Sequence, residues 1–463
     1  MKVLVIGGGA GGLLTSLLLA RDGHDVTVLE RDGEPPPSTN DDAWDTWTRA
    51  GVSQLRQPHG FIGRTRTVLI EELPDVWAGI QESDTYTVDL TRFAPDPEAV
   101  TDDDRRRLRV EVMRRTTFDR LMSLAADSEP NLHLRRGVAV KGLTTGQPDP
   151  TGVPTVRGAT TGAGDIDADL VIDSGGRRSA APRWLDALGA PVEQWSESDG
   201  FTYHSMWFRT HDGNYPENVA GFFGGMAPGL LTLVFPGDAG VFGIAMVGLG
   251  SDKILRRLRD PEKFIEVTRR LSPIAHWVDP AVATPISGVL PMGAIQNRRL
   301  RFWNGDGPSA IGIVNVGDSV LSTNPSLGRG IALAAIGALE LRSLLRETDR
   351  PAEITHEFDR AKEERLMPYL TDAVASDQAM RRVLNEALGK PTSDDISDRT
   401  RMARASTRDM DCWRRWKGVD QVFDLPSSYL EDAELMTRAR EVAEDTPPPA
   451  YTLNRDELVD LLA

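Results

Sequence analysis

The stretch MKVLVIGGGAGGLLTSLLLARDGHDVTVLERD, residues 1–32, constrains the fold of this chain more than any other. Its apolar run VLVI has no polar face, as expected of a parallel strand covered on both sides. Gly7, Gly9 and Gly12 follow in the spacing GxGxxG. The first permits a tight turn, the second lets backbone approach a pyrophosphate, and the third lets helix and strand pack closely. Ala10 and Gly11 stand where the helix begins, and its N-terminus offers partial positive charge to phosphates. A second run, VTVLE, places Glu30 at a strand end, followed by Arg31. A carboxylate there accepts from ribose hydroxyls and repels a 2'-phosphate. The unit is therefore read as a βαβ site for the ADP half of FAD or NAD, not NADP.

The rest of the composition narrows the partners. A chain of 463 residues is long enough for two or three domains, and its net charge of -16 repels nucleic acid and anionic lipid. Cys412 is the single cysteine, which excludes an internal disulfide and any cysteine-cluster metal site. The longest apolar stretch, GLLTSLLLA, is well short of the roughly 20 residues a membrane span needs. A cytoplasmic protein without a membrane span is expected. The seven histidines are scattered singly, and neither a metal cluster nor a Ser-His-Asp set can be assembled.

More α/β fabric follows the opening unit: RLRVEVM leads into the helical TTFDRLMSLAA, and NLHLRRGVAVKGL alternates as one strand. DADLVIDSGGRRSAAPRWLDALG at 167–189 repeats strand, glycine turn and helix. Between Phe201 and Gly250 the texture changes to aromatic and β-branched runs separated by Gly, Pro and Asp, the pattern of an antiparallel meander. DPEKFIEVTRRL at 260–271 reads as a helix, and AIGIVNVGDSV at 310–320 restores a buried parallel strand with a helix starting near Gly328. Two proline runs, EPPPS at 34–38 and TPPPA at 446–450, read as turns or spacers. The expected fold class is α/β: a Rossmann-type, glutathione reductase-like nucleotide domain over 1–195 and 296–350. An antiparallel substrate domain over 196–295 and a C-terminal helical region over 351–463 complete it.

The segment VNVGDSVLSTNPSLGRGIALAAIGALEL at 314–341 is the most specific. It has a strand, Gly317-Asp318, Pro325 seven residues on, then Gly328, Arg329 and Gly330 opening a helix. It resembles the second FAD motif of the para-hydroxybenzoate hydroxylase-like flavoprotein monooxygenases, with an epoxidase or styrene monooxygenase-like branch favoured because Leu321 and Ala332 replace residues common in phenol hydroxylases. The resemblance implies FAD: Asp318 would bind a ribityl or ribose hydroxyl. Gly328–Gly330 would offer amides and a helix dipole to the flavin N1–C2=O region, where negative charge develops on reduction. ADLVIDSGGRRSAAPRWL is similar to the family's middle motif, with Gly176, Arg178, Ser179 and Arg183 in place but Gly175 where an aspartate is usual. That departure leaves open whether NAD(P)H reduces the flavin directly or a separate flavin reductase supplies electrons. Arg115 with Phe118, in MRRTTFDRLM, is similar to the family's arginine on the phosphate and ribose side, with Arg114 as its alternate. Arg56 and His59 lie in a segment, 51–74, expected beside the cofactor, and Val140 joins the cofactor-binding candidates.

The cofactor would carry the hard chemistry, which explains why no catalytic side chain announces itself. The resemblance implies a monooxygenase that uses O2 and inserts one oxygen atom, by hydroxylation or epoxidation, through a flavin C4a-hydroperoxide. The substrate expected is an apolar small molecule, such as a natural-product intermediate. The alternative is an FAD-dependent reductase or dehydrogenase acting on an alkene, like the geranylgeranyl reductases. Tyr203, Trp207, Phe222 and Phe235, with Phe223 and Met246 beside them, are the candidate substrate wall, of which strand alternation turns only a part toward the ligand.

Overall fold

A computed structural model describes residues 1–197, 200–217, 222–305, 307–390, 396–444 and 453–463. The proline run at 446–450 and the side chain of Phe223 lie outside the described part. The elements used below are β1 (Lys2–Ile6), α1 (Ala10–Arg21), β2 (Asp25–Glu30), α2 (Arg115–Ser128), β3 (Leu132–Arg136), β4 (Val140–Thr145) and β5 (Leu170–Asp173). They continue with β6 (Phe201–Thr210), β7 (Phe223–Ala227), β8 (Leu230–Pro236), β9 (Val241–Leu249), α3 (Pro261–Arg270), β10 (Leu290–Ile295), β11 (Ile313–Asn315), α4 (Gly330–Glu347) and α5 (Met367–Glu386).

Five strands form a parallel sheet in the order β11–β5–β1–β2–β3. Val3 to Ile6 are all buried, as their unbroken apolar run requires. Helix α1 covers one face with nearly every side chain buried, since it is wedged between the sheet and α4, and Leu13, Leu14, Leu17 and Leu18 share a core with Phe118, Ala335 and Ala338. Its first amides receive no side-chain cap, because the N-cap is Gly9. The strands end together in register, with Ile6 beside Asp173 and Asp173 beside Asn315, so the loops after β1, β2, β5 and β11 line one edge. That edge is where open parallel sheets bind their ligands.

The meander forms the second sheet, in which β7, β8, β9 and β6 are neighbours and β10 also pairs with β6. Its outer face packs on α3 through Met206, Phe208, Ile244, Met246, Phe264 and Trp277. NLHLRRGVAVKGL, expected as one strand, is broken at Gly137, whose φ of +74° turns the chain. Its halves become β3 of the parallel sheet and β4 of a separate three-stranded sheet.

The C-terminal helices cover both halves. Helix α5 sets Leu384 among Phe201, Tyr203 and Val247 of the second sheet, and Leu453, Leu458 and Leu462 join the core under α3. Among the described residues no helix is long and apolar enough to cross a membrane.

Candidate functional site

Three glycine turns meet at the edge of the parallel sheet. A Cβ at Gly7, where φ is +108°, would stand 2.4 Å from the Ser174 carbonyl oxygen, and one at Gly12 would stand 2.0 Å from the Gly7 oxygen. Both positions are therefore closed to side chains by the chain itself. Gly9 is different: a Cβ there meets nothing within 4 Å. Open space above an uncapped helix start is what a pyrophosphate requires. Gly11 would touch the Gly317 Cα at 3.5 Å, and Gly176 the Asp318 Cβ at 4.0 Å, so motifs separated by hundreds of residues converge.

The Glu30 carboxylate is drawn inward. Its Oε2 accepts from Gly8 N at 2.8 Å and from Arg49 at 3.2 Å, and its Oε1 accepts from Asp32 N at 2.9 Å. Arg49 also donates to the Gly8 carbonyl at 2.7 Å and to Asp119 at 3.1 Å. The other Asp119 oxygen takes Arg115, whose guanidinium also reaches His59 Nε2 at 3.3 Å. With His59 Nδ1 against the Gln57 carbonyl at 2.8 Å, the partners assign a tautomer in which Nδ1–H donates and Nε2 accepts. Burial and the Arg115 charge hold this histidine down at about 4, so it is neutral at pH 7. Glu30, Arg49, Asp119, Arg115 and His59 thus form one chain of contacts from the first glycine turn toward Asp318.

Asp318 follows Gly317, whose φ is +63°. Burial raises its pKa, while Arg115 and Arg177 oppose the rise. None of the described residues donates a hydrogen bond to its carboxylate, although two guanidinium charges face it. Such a carboxylate fits the hydroxyls of a ribityl chain, and the donor set as a whole fits FAD. Beyond it a turn at Pro325–Leu327 ends on Gly328 (φ +65°), and α4 begins at Gly330 without a side-chain cap. When bound, FAD supplies the redox chemistry; Asp318 and the amides of Gly9 and Gly330 are the groups that would hold it, while the Gly328 amide closes the turn onto the Pro325 carbonyl at 2.9 Å.

The carboxylate missing at Gly175 stands two residues earlier. Asp173 ends β5 fully buried, accepting from Gly175 N at 3.0 Å and from the Ser179 hydroxyl at 2.7 Å. Burial pushes it up to about 6 against those hydrogen bonds.

The remaining candidates make other contacts. Arg56 binds the carbonyls of Trp44 and Trp47, and Arg329 binds Asp372 at 2.6 Å and the Val419 carbonyl at 3.2 Å, so both guanidiniums are occupied by the chain. Val140 pairs with Thr161 in the small sheet, Arg31 is exposed, and Pro325 is exposed at the turn. Tyr203 donates to Asn324 Oδ1, and Trp207 Nε1 donates to the Arg56 carbonyl at 2.8 Å. Met246 belongs to the core under α3. Phe222 and Phe235 remain half-buried, ring to ring at 5.1 Å. Sequence reasoning passed over Arg49, which nothing in its segment separates from Arg56, and Asp173, whose signal was an aspartate ending an apolar strand.

The sequence profile of a family described as FAD binding domain matches residues 1–208. Protein Rv3254 of Mycobacterium tuberculosis is 27% identical over 395 residues, 77% of this chain and 76% of its own length. PqsL of Pseudomonas aeruginosa, a probable FAD-dependent monooxygenase, shares the fold with a TM-score of 0.55 at 16% identity, over 84% of this chain and 100% of its own. Aklavinone-11 hydroxylase, solved with FAD and aklavinone, also shares it with a TM-score of 0.55 at 16% identity, over 85% and 71% of the two chains. Residues 1–208 therefore carry the signature of an FAD binding domain, and the fold around it is the one seen in these flavoprotein structures.

Proposed function

We propose that this protein inserts one oxygen atom from O2 into an apolar small molecule, by hydroxylation or epoxidation. The observation that carries the reading is the position of the half-buried Phe222–Phe235 pair. A Cβ at Gly60 would lie 3.6 Å from the Phe222 ring, and one at Gly328 would lie 3.5 Å from the Gly60 carbonyl. An apolar wall therefore stands one residue away from the glycine turn that opens α4. Trp207 lies on the same sheet as Phe235, each pairing with Gly243 of the strand between them, and Tyr203 stands four residues further along the Trp207 strand. Burial in such a place excludes water and orients an apolar ligand without charged partners.

Asp318, Gly9 and Gly330 are proposed as cofactor-holding groups, with Arg115 and His59 positioning them. The reduced nicotinamide or reduced flavin needed for turnover has its natural point of discrimination at Gly175, where the family's carboxylate is displaced to Asp173. Purified protein supplied with FAD, a reductant and 18O2 is expected to release product carrying one labelled oxygen, read by mass spectrometry. Unlabelled product formed equally well without oxygen overturns oxygen insertion and favours the alkene reductase reading. Bleaching of the visible absorption of oxidised flavin by NADH or NADPH alone would assign direct reduction.

A further inference from the structure

Asp377 lies on α5, outside every motif, and is 1% exposed. Its Oδ1 accepts from Asn324 Nδ2 at 2.7 Å and its Oδ2 from Asn297 Nδ2 at 2.8 Å. Asn297 also accepts from Asn324 N at 2.9 Å and donates to Glu197 at 2.7 Å. Asn324 accepts the Tyr203 hydroxyl on its remaining oxygen. Only one orientation of each amide satisfies all of these partners. Side chains from β6, from the end of the strand at 193–196, from the loop after β10, from the turn before α4 and from α5 thus meet at one buried point.

The turn held there is the one that delivers Gly328 and Gly330. Asn324 on its inner side is buried, whereas Pro325 is exposed on its outer side. A Cβ at Gly330 would lie 3.9 Å from Asp318 Oδ1, so a displacement of this turn moves the flavin-holding groups relative to each other. We propose that Asp377, supplied by the C-terminal region, is a positioning residue of the flavin site, clamping the Asn324–Leu327 turn and coupling it through Tyr203 to the substrate sheet. The claim concerns FAD binding and stands independently of oxygen insertion.

The clamp is built to respond to pH. Burial pushes Asp377 up to about 6, Glu197 adds to the rise, and Asn324, Arg381 and Asn297 oppose it. Tyr203, the remaining titratable group at the junction, is raised by burial and stays neutral. A protonated Asp377 loses one of its two acceptor positions, so one amide is released as pH falls through about 6.

The test is the Kd for FAD, from flavin fluorescence, and the visible spectrum of bound flavin between about pH 5 and 8, with thermal melts alongside. Wild-type protein is expected to show an inflection near the pH at which the clamp protonates. Asp377→Asn, which sets a donor against a donor, is expected to weaken FAD about tenfold or more and to abolish the inflection. Asp377→Glu is expected to retain it. A wild-type protein without the inflection, or an Asn variant with a lower Tm but unchanged Kd and pH profile, overturns the proposal. If Asp377→Asn does not fold, Tyr203→Phe decides: a displaced inflection supports the coupling, and an unchanged one overturns it.

Discussion

At Gly175 a Cβ would stand 3.0 Å from Asp173 Oδ1 and 3.1 Å from the Ser179 Cα, so an aspartate placed there would press a second carboxylate against a buried one. Gly175→Asp is therefore expected to destabilise the protein by about 2–4 kcal/mol in urea unfolding. Moving the carboxylate outright, in Asp173→Gly with Gly175→Asp, should recover part of that loss, because only one charge then occupies the turn. His59 makes a pH prediction. Its pKa is held at about 4 against an ordinary 6.5, so folding favours the neutral ring. The stability this provides is complete above pH 6.5 and is lost as pH falls through about 4. The ring is only partly shielded from water, so the loss should be on the order of 2 kcal/mol, absent in His59→Gln and read from Tm across that range. Asp318→Ala removes a carboxylate that accepts no hydrogen bond from any described residue. About a hundredfold weaker FAD binding with an unchanged melting temperature of the apoprotein is expected, measured by fluorescence titration.

Elements are joined by buried charges as much as by apolar faces. At the start of α2, Arg114 donates from its backbone and guanidinium to Asp238 in the turn between β8 and β9, and also to Asp41. Both Arg114 and Asp238 have side chains 1% exposed, so this pair bolts the nucleotide sheet to the meander. Arg114→Ala should cost about 3–5 kcal/mol, because Asp238 is left buried and unpaired. Chemical denaturation measures it, and the double variant Arg114→Ala, Asp238→Ala should be less destabilised than that single one. Arg329 repeats the device between α4 and Asp372 of α5. In the sequence both are arginines beside motifs and look like ligand-binding groups. Their distant carboxylates, more than 40 residues away in each case, reveal the structural role.

For the whole molecule, the C-terminal region is an integral part of the fold. It supplies Asp372 to Arg329, Asp377 to Asn324, Trp413 to the cluster around Val110, and Leu453, Leu458 and Leu462 to the core under α3. A chain ending at residue 350 is expected to lose cooperative unfolding and FAD retention together, checked by circular dichroism and by the flavin carried through gel filtration.

The strand, glycine and helix units at both ends of the nucleotide domain were legible because their causes are local. Unbroken apolar runs require a covered sheet, Gly7 and Gly12 sit where a neighbouring carbonyl admits no side chain, and Gly317 takes a φ of +63° that favours glycine. The antiparallel meander was equally plain in its alternating aromatics. The sequence by itself therefore determined the nucleotide-binding unit, the class of cofactor and the two sheet types. Tertiary structure alone decided which partners the charged groups take within the chain: that Arg56 and Arg329 serve the chain's own carbonyls and carboxylates, that Arg49 serves Glu30, and that the buried carboxylate of the middle turn is Asp173. It also decided that Asp377 reaches the flavin turn from a helix without a motif. Hydrogen bonds and ion pairs between residues tens to hundreds of positions apart depend on how the layers close over one another. No local pattern of residue types encodes that closure.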